Sequence, residues 1–352
     1  MHDSRNKLKI FVGLCLACTV SLAAYFLWAK GRTGPPVSNA KPGTAVAGFS
    51  ISPVEKAAGD QPRQILYRYT GIDDNYAHYG KLALADLDNL DKPRFVDDIA
   101  CQSIHYSAGR GLCLSGTWGS YPSYFAFVFD SDFKELFRLP LKGGPSRVRV
   151  SPDGKLAGFT VFVSGHGYTS IDFSTETLIV DLKDGKVVGS LEEFKVTRDG
   201  QPFKAADFNF WGVTFTPDSR RFFCTLSSGG KHYLIEADVA AHTATVIHEN
   251  VECPSLSPDG SRVAYKKRFN IEGRRLWQLY VLDLATKKEM PLSEKRSVDD
   301  QLEWLDNAHV LYTVSENPEG SSATTNVWKA DAEGKIPPVL FLPKAFSPAV
   351  VR

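Results

Sequence analysis

Residues 151–181 read SPDGKLAGFTVFVSGHGYTSIDFSTETLIVD, and the order of parts in that stretch decides the fold. Ser151-Pro152-Asp153-Gly154 is a turn: Pro fixes φ at the first central position, Asp closes the turn, and Gly tolerates positive φ. An apolar strand follows, LAGFTVF, then a polar loop, then a second apolar strand, TLIVD, that stops at Asp181. A terminal Asp suits a strand end, because its carboxylate accepts backbone N–H groups two residues on and starts the next tight turn. Both strands are apolar on consecutive residues, the pattern of strands covered on both faces.

Both halves recur. The Asp-ended strand appears six times: KLALAD at Asp86, FAFVFD at Asp130, TLIVD at Asp181, LIEAD at Asp238, LYVLD at Asp283 and VWKAD at Asp331, at intervals of 44, 51, 57, 45 and 48 residues. The S-P-D-G turn recurs as Thr216-Pro217-Asp218-Ser219 before RFFCTL and as Ser257-Pro258-Asp259-Gly260 before RVAYKK. Degenerate copies are Ser107-Ala108-Gly109-Arg110 before GLCLS and Asp306-Asn307 before HVLYTV. Each repeat is therefore strand, turn, strand, loop, strand, Asp turn, strand: a four-stranded antiparallel meander of about 45 residues, the size of a propeller blade.

Six Asp turns against five S-P-D-G-type turns leave the first blade one strand short. ILYRYT, residues 65–70, reads as a second strand without a first, and Ala345-Phe346-Ser347-Pro348 as a first strand without a second. Joining them completes blade one and removes the open sheet edge. The sequence predicts an all-β, six-bladed β-propeller over residues 64–352, closed by pairing of the C-terminal strand with the N-terminal blade. A β-sandwich or two separate β domains would not give six copies with a split first one.

Ahead of the repeats, residues 10–28, IFVGLCLACTVSLAAYFLW, form an uncharged run long enough to cross a bilayer as a helix. Arg5, Lys7 and Lys9 precede it and Lys30 and Arg32 follow, a bias that keeps residues 1–9 cytoplasmic and sends the body across. The favoured reading is a single-pass signal-anchor. A cleaved signal peptide at Ser21-Leu22-Ala23 and a lipoprotein signal at Cys18 remain alternatives, and all three place the body outside the cytoplasm (secreted if the signal is cleaved). Residues 29–63, with Pro35-Pro36 and few large apolar side chains, read as a flexible linker. Residues 33–352 carry 36 basic and 39 acidic residues in no basic stripe, which argues against nucleic-acid binding.

The S-P-D-G turns at 151–154, 216–219 and 257–260, with the strand pairs around them, resemble the TolB-type propeller family with its WD-like repeats, in particular the actinobacterial membrane-anchored or secreted members. The resemblance covers residues 64–352 and implies a protein that binds other cell-envelope proteins through one face of the ring. TolB itself carries an α/β domain before its propeller, and a short stalk stands in that place here. No functional residue transfers one by one.

Catalytic motifs are scarce. The chain has no G-x-S-x-G, and His248-Glu249 lacks the second His of a zinc-protease helix. Asp86, Asp88 and Asp91 lack the Gly and Glu of a calcium loop, and Gly165-His166-Gly167 lacks the third Gly of a nucleotide site. No cofactor and no metal are expected. Cys101, Cys113, Cys224 and Cys253 are disulfide candidates, with Cys101–Cys113 across one hairpin and Cys224–Cys253 between adjacent blades as the favoured pairs, against free core thiols. The basic stretch Lys266–Arg268 with Arg274 and Arg275 reads as a solvated loop.

Loops between second and third strands lie on the face opposite the S-P-D-G turns and share it with the blade-to-blade links, of which 194–211 is the longest. Several are aromatic, so Tyr76, His78, Trp118, Tyr121, His166 and Tyr168 are the candidate binding residues. The expected function is that of a monomeric, non-catalytic extracytoplasmic propeller that binds an envelope protein or peptide on this loop face. The alternative is an enzyme or small-ligand sensor, lyase- or hydrolase-like, with its site in the central channel. A ring of inward His, Asp or Glu would favour the alternative; an aromatic, uncharged mouth would favour the first.

Overall fold

The computed structural model describes residues 64–72, 74–117, 122–163, 174–316 and 324–352. The anchor read over residues 10–28, the segment 1–9 and the linker 29–63 lie outside the described residues. Among the described residues no helix is long and apolar enough to cross a membrane.

Six sheets follow one another along the described chain, antiparallel throughout except for one parallel pair at the outer edge of blade four. Blade one is built from Ala345–Val351, Gln64–Tyr69, Lys81–Asp86 and Asn89–Ala100, innermost strand first. The innermost strands of blades two to six are Ser103–Ser107, Gly144–Val150, Asn209–Phe215, Glu252–Leu256 and Glu303–Trp304. The closing strand pairs as expected, with Ile65 opposite Val350, Leu66 opposite Ala349 and Arg68 opposite Phe346. Buried apolar side chains fall into six clusters, and each cluster lies between one pair of neighbouring blades, the pair formed by blades six and one included. Every blade is thus apolar on both faces, which is why the strands do not alternate strictly.

The turns work as their residues require. Ser151 Oγ donates to Asp153 Oδ1 at 2.7 Å and accepts from Leu156 N at 2.9 Å. Thr216 with Asp218 and Arg221, and Ser257 with Asp259 and Arg262, repeat the pattern. Five of the six strand-ending Asp residues accept backbone N–H groups of their own turn: Asp130, Asp181, Asp238, Asp283 and Asp331. Asp86 accepts from Gln64 Nε2 instead.

Three expectations need correction. The segment 194–211 is not a simple link. Its strands Lys195–Arg198 and Gln201–Phe203 form a hairpin that adds to the outer edge of blade four, Lys195–Arg198 running parallel to Thr243–Glu249. Phe194 and Val196 bury against the blade three–four core, which draws the segment outward. The basic stretch is not a solvated loop either. Arg262–Ile271 and Arg274–Asp283 are paired strands, and Lys266 is buried with Asp299 and Glu252 as its counter-ions.

The third correction concerns the cysteines. Cys101 and Cys113 are disulfide-bonded, whereas Cys224 and Cys253 are free and buried. Strand parity separates the second pair. Successive residues point to opposite faces, so Phe223 packs toward blade five while Cys224 packs toward blade three. Cys253 sits in a bulge of its strand with φ of 50°, tight against Gly212, whose own φ is 71°. A Cβ on Gly212 would lie 2.8 Å from Cys253 Cα, so only Gly permits this approach of two innermost strands.

Candidate functional site

A cavity of about 730 Å³ opens along the ring axis on the face of the S-P-D-G turns. Its rim is made of those turns: Ala108 and Gly109, Pro152 and Asp153, Pro217, and Ser257 and Pro258. Its walls come from the ends of the innermost strands, Tyr106, Val150, Phe215, Leu256, Trp304 and Val351. Toward the loop face the axis narrows to a void of about 30 Å³ that shares His105 and Arg149 with the large cavity. Among the described residues the cavity is therefore a cup, floored where the two spaces share His105 and Arg149.

The floor follows from register. Counting back from the Asp turns through the strand pairs, one position per blade is equivalent: Ala349, His105, Arg149, Thr214, Ser255 and Glu303 in ring order. In blades two to five this residue lies two places before the Ser or Thr of the turn. Blades three and six stand opposite each other, and Arg149 Nη1 donates to Glu303 Oε2 directly across the axis. Arg149 Nη2 also donates to Leu302 O at 2.9 Å and Ser255 Oγ at 3.4 Å. Ala349 is the small member of the set, and beside it Arg352 reaches in, with Nη1 3.0 Å from Glu303 Oε1 and Nη2 on Trp304 O.

Burial and charge set the protonation of this floor. Glu303 is 3% exposed, His105 6% and Arg149 8%. Burial by itself raises the Glu303 carboxyl, but Arg149, His105 and Arg352 together hold it well below the usual carboxylate range. Burial, helped by Arg149, lowers His105 to about 4 against the pull of Glu303, so the ring is neutral at pH 7. Its Nδ1 accepts the Val150 N–H at 3.1 Å, which puts the ring proton on Nε2, 3.6 Å from Glu303 Oε2. Thr214 Oγ1 and Glu303 Oε1 accept the equivalent N–H groups of Leu256 and Val350. These bonds tie blade two to three, four to five, and six to one, so the floor also pins the ring.

On the loop face, Arg147 lies 3.6 Å from Asp299, which also takes the Lys266 ammonium. Gln301 Nε2 spans to Val213 O and Pro254 O at 3.1 and 3.2 Å. Two candidate residues of this face are described. Tyr76 is 47% exposed, with its ring edge-on to Tyr79. His78 stacks on Phe95 at 4.0 Å and lies 3.8 Å from Asp97. Trp118, Tyr121, His166 and Tyr168 lie outside the described residues. No group of three or more His, Cys, Asp or Glu side chains placed to share a metal ion occurs among the described residues.

None of the floor residues was singled out from the sequence. The usable signal was positional: two residues before each Ser/Thr-Pro-Asp turn, a side chain must face the axis.

No protein-family model and no curated protein matches the chain. Among solved structures it is similar to TolB from Acinetobacter baumannii, at TM-score 0.54 and 19% identity over 84% of this chain and 68% of that one. It is also similar to a chain of a nidogen/laminin complex, at TM-score 0.51 and 10% identity over 81% of this chain and 97% of that one. A TolB from Agrobacterium tumefaciens matches at TM-score 0.47 and 11% identity, over 81% of this chain and 90% of that one. At these identities the likeness is one of fold: a TolB-like six-bladed propeller.

Proposed function

We propose that this chain is a non-catalytic, TolB-like binding propeller that works outside the cytoplasm at the cell envelope. It takes a segment of a protein partner into the cup on its S-P-D-G face. The observation that carries the reading is the cup itself: a floored cavity of about 730 Å³, walled by six apolar strand ends and exposed through a ring of turns. One of its structural neighbours was solved in a complex of nidogen with laminin, a propeller fold in a protein assembly. The Cys101–Cys113 bond supports an oxidising compartment, and the apolar run 10–28 supports a single-pass anchor that holds a monomeric propeller at the membrane. The loop face around Tyr76 and His78 is left for contacts outside the cup.

The charged floor favours a second reading, a channel site for a small ligand or a reaction. Its protonation supports binding over proton transfer. His105 is neutral with its acceptor nitrogen already bonded, and Glu303 stays ionised between two guanidiniums. A general base or acid needs a pKa near the working pH and a free site, and neither group has them.

Occlusion tests the proposal. Pro258→Trp places an indole at the rim without touching the floor. Chemical crosslinking of the full chain in its native membrane should capture one stoichiometric protein, and the variant should lose it while keeping the wild-type circular dichroism. An unchanged capture, or a purified protein that turns over a substrate, would refute the proposal.

A further inference from the structure

We infer that the loop face carries an oxyanion site at the boundary of blades one and two, where the Arg68 guanidinium and the Gln102 amide take a carboxylate or phosphate group beside the Tyr79 and Phe346 rings. The site is on the face opposite the cup and does not rest on it. Side chains alternate along the strand Gln64–Tyr69: Ile65, Tyr67 and Tyr69 pack toward blade six, and Leu66 toward blade two. Arg68 shares the face of Leu66 and pairs in register with Leu82, which also packs toward blade two. Its side chain therefore turns to that boundary at the loop-face end. The closing strand bulges there, with Ser347 at φ of 50°, and the register moves so that Phe346 stands opposite Arg68. The Phe346 ring centre lies 5.8 Å from Arg68 Cζ and that of Tyr79 5.1 Å. The loop that presents Tyr79 holds two successive non-glycine residues in left-handed backbone, Asn75 at φ of 54° and Tyr76 at 65°, strain of the kind that gathers at binding loops.

Two rings do not neutralise a cation. Among the described residues the Arg68 guanidinium has no carboxylate partner and makes no hydrogen bond, and its Nε is buried. The Asp97 carboxylate lies by His78 instead, 3.8 Å from its Nε2, and the backbone oxygen of Asp97 takes the Lys81 ammonium. Gln102 supplies a second unused donor. Gly80 links the two places: its oxygen accepts Cys101 N at 3.0 Å, and a Cβ on it would lie 4.0 Å from Arg68 Nε. Gln102 follows Cys101 in the chain, and its buried Nε2 likewise has no partner. A buried donor left unpaired costs stability, so a pair of them at one boundary calls for an acceptor. Guanidinium and primary amide both donate, and one of them is charged. The group that satisfies both is acceptor-only and negative, which is the chemistry of a carboxylate or a phosphate.

The test uses the full chain in a nonionic detergent. Sodium acetate and sodium phosphate are the probes, with sodium chloride at matched ionic strength as the reference. A partly buried guanidinium site holds such an ion with a Kd on the order of 1 mM, so about 50 mM of the accepted anion should raise the melting temperature by about 4 °C over chloride. Arg68→Met should erase that rise, and Gln102→Leu should weaken binding about fivefold. The general salting effect of phosphate acts on parent and variant alike, so the difference between them is what is read. A rise with acetate assigns the site to carboxylates, and a rise with phosphate alone assigns it to phosphate groups; either supports the inference. In NMR spectra the Arg68 Nε–H signal, identified by its loss in Arg68→Met, should shift and saturate with the same anion. No rise over chloride, a rise that survives Arg68→Met, or an unmoved Nε–H signal would overturn the inference and leave both donors to water. Arg68→Met breaks no ion pair, so without added anion it should melt within about 4 °C of the parent. A larger fall would assign the guanidinium to packing of the ring and likewise overturn the inference.

Discussion

Glu303→Gln keeps the shape of the side chain and deletes its charge. The structure then leaves Arg149, 8% exposed and on the far side of the axis, with no counter-ion. Breaking a buried pair from one side costs about 3–5 kcal/mol, because the remaining charge is held out of water without compensation. For a domain of this size about 2 °C of melting temperature accompanies each kcal/mol, so the variant should melt about 6–10 °C lower. The reverse logic gives a second arm. Removing both charges with Arg149→Met and Glu303→Leu should return stability to within about 1 kcal/mol of the starting protein, since well-packed apolar groups replace a buried pair at little loss. Thermal and urea unfolding followed by circular dichroism, arranged as a double-mutant cycle, measures the coupling. A loss below about 1 kcal/mol for Glu303→Gln, or additive single effects, would show that the two groups do not meet across the axis as described.

Two further outcomes follow from the same geometry. His105 has a folded pKa of about 4 against an ordinary 6.5, and burial likewise takes His232 down to about 3. The unfolded chain binds the extra protons in that window, so stability falls as pH drops from 6.5 to 4. For His105 the loss is about 3 kcal/mol at most, and His105→Gln should flatten that limb of a pH-dependent unfolding curve. A curve as steep in the variant as in the parent would contradict the assignment. The cysteines should also sort themselves. Without reductant, Cys101 and Cys113 resist alkylation even when unfolded, whereas Cys224 and Cys253 react only after unfolding. Cys101→Ser with Cys113→Ser, which opens a link of 12 residues, should cost about 3 kcal/mol in chemical denaturation.

How far the sequence carried the reading depends on whether a feature has a local cause. Ser151-Pro152-Asp153-Gly154 forms its turn from its own side chains, and Asp283 closes its turn the same way, so the repeats mark their own phase. Once the phase is known, the unmatched strands at Ile65 and Phe346 can only meet each other. The floor has no such cause. His105, Arg149, Thr214, Ser255 and Glu303 share a position and not a chemistry, and each acquires meaning only from a blade far away in sequence. Cys224 shows the same limit at one residue's resolution, because its neighbour Phe223 faces the blade where the proposed bond would form. Lys266 looked solvated for the same reason: Asp299, its counter-ion, lies in the next blade-to-blade link.

The account stands on the cup as the place where the partner enters. Its most direct test compares two photocrosslinkers in the full chain expressed in its native cells, one at Pro217 on the cup rim and one at Tyr76 on the opposite face. The rim position should label a single protein, and Pro258→Trp should abolish that label. A label that arises only from Tyr76, or a rim label indifferent to Pro258→Trp, would contradict the account.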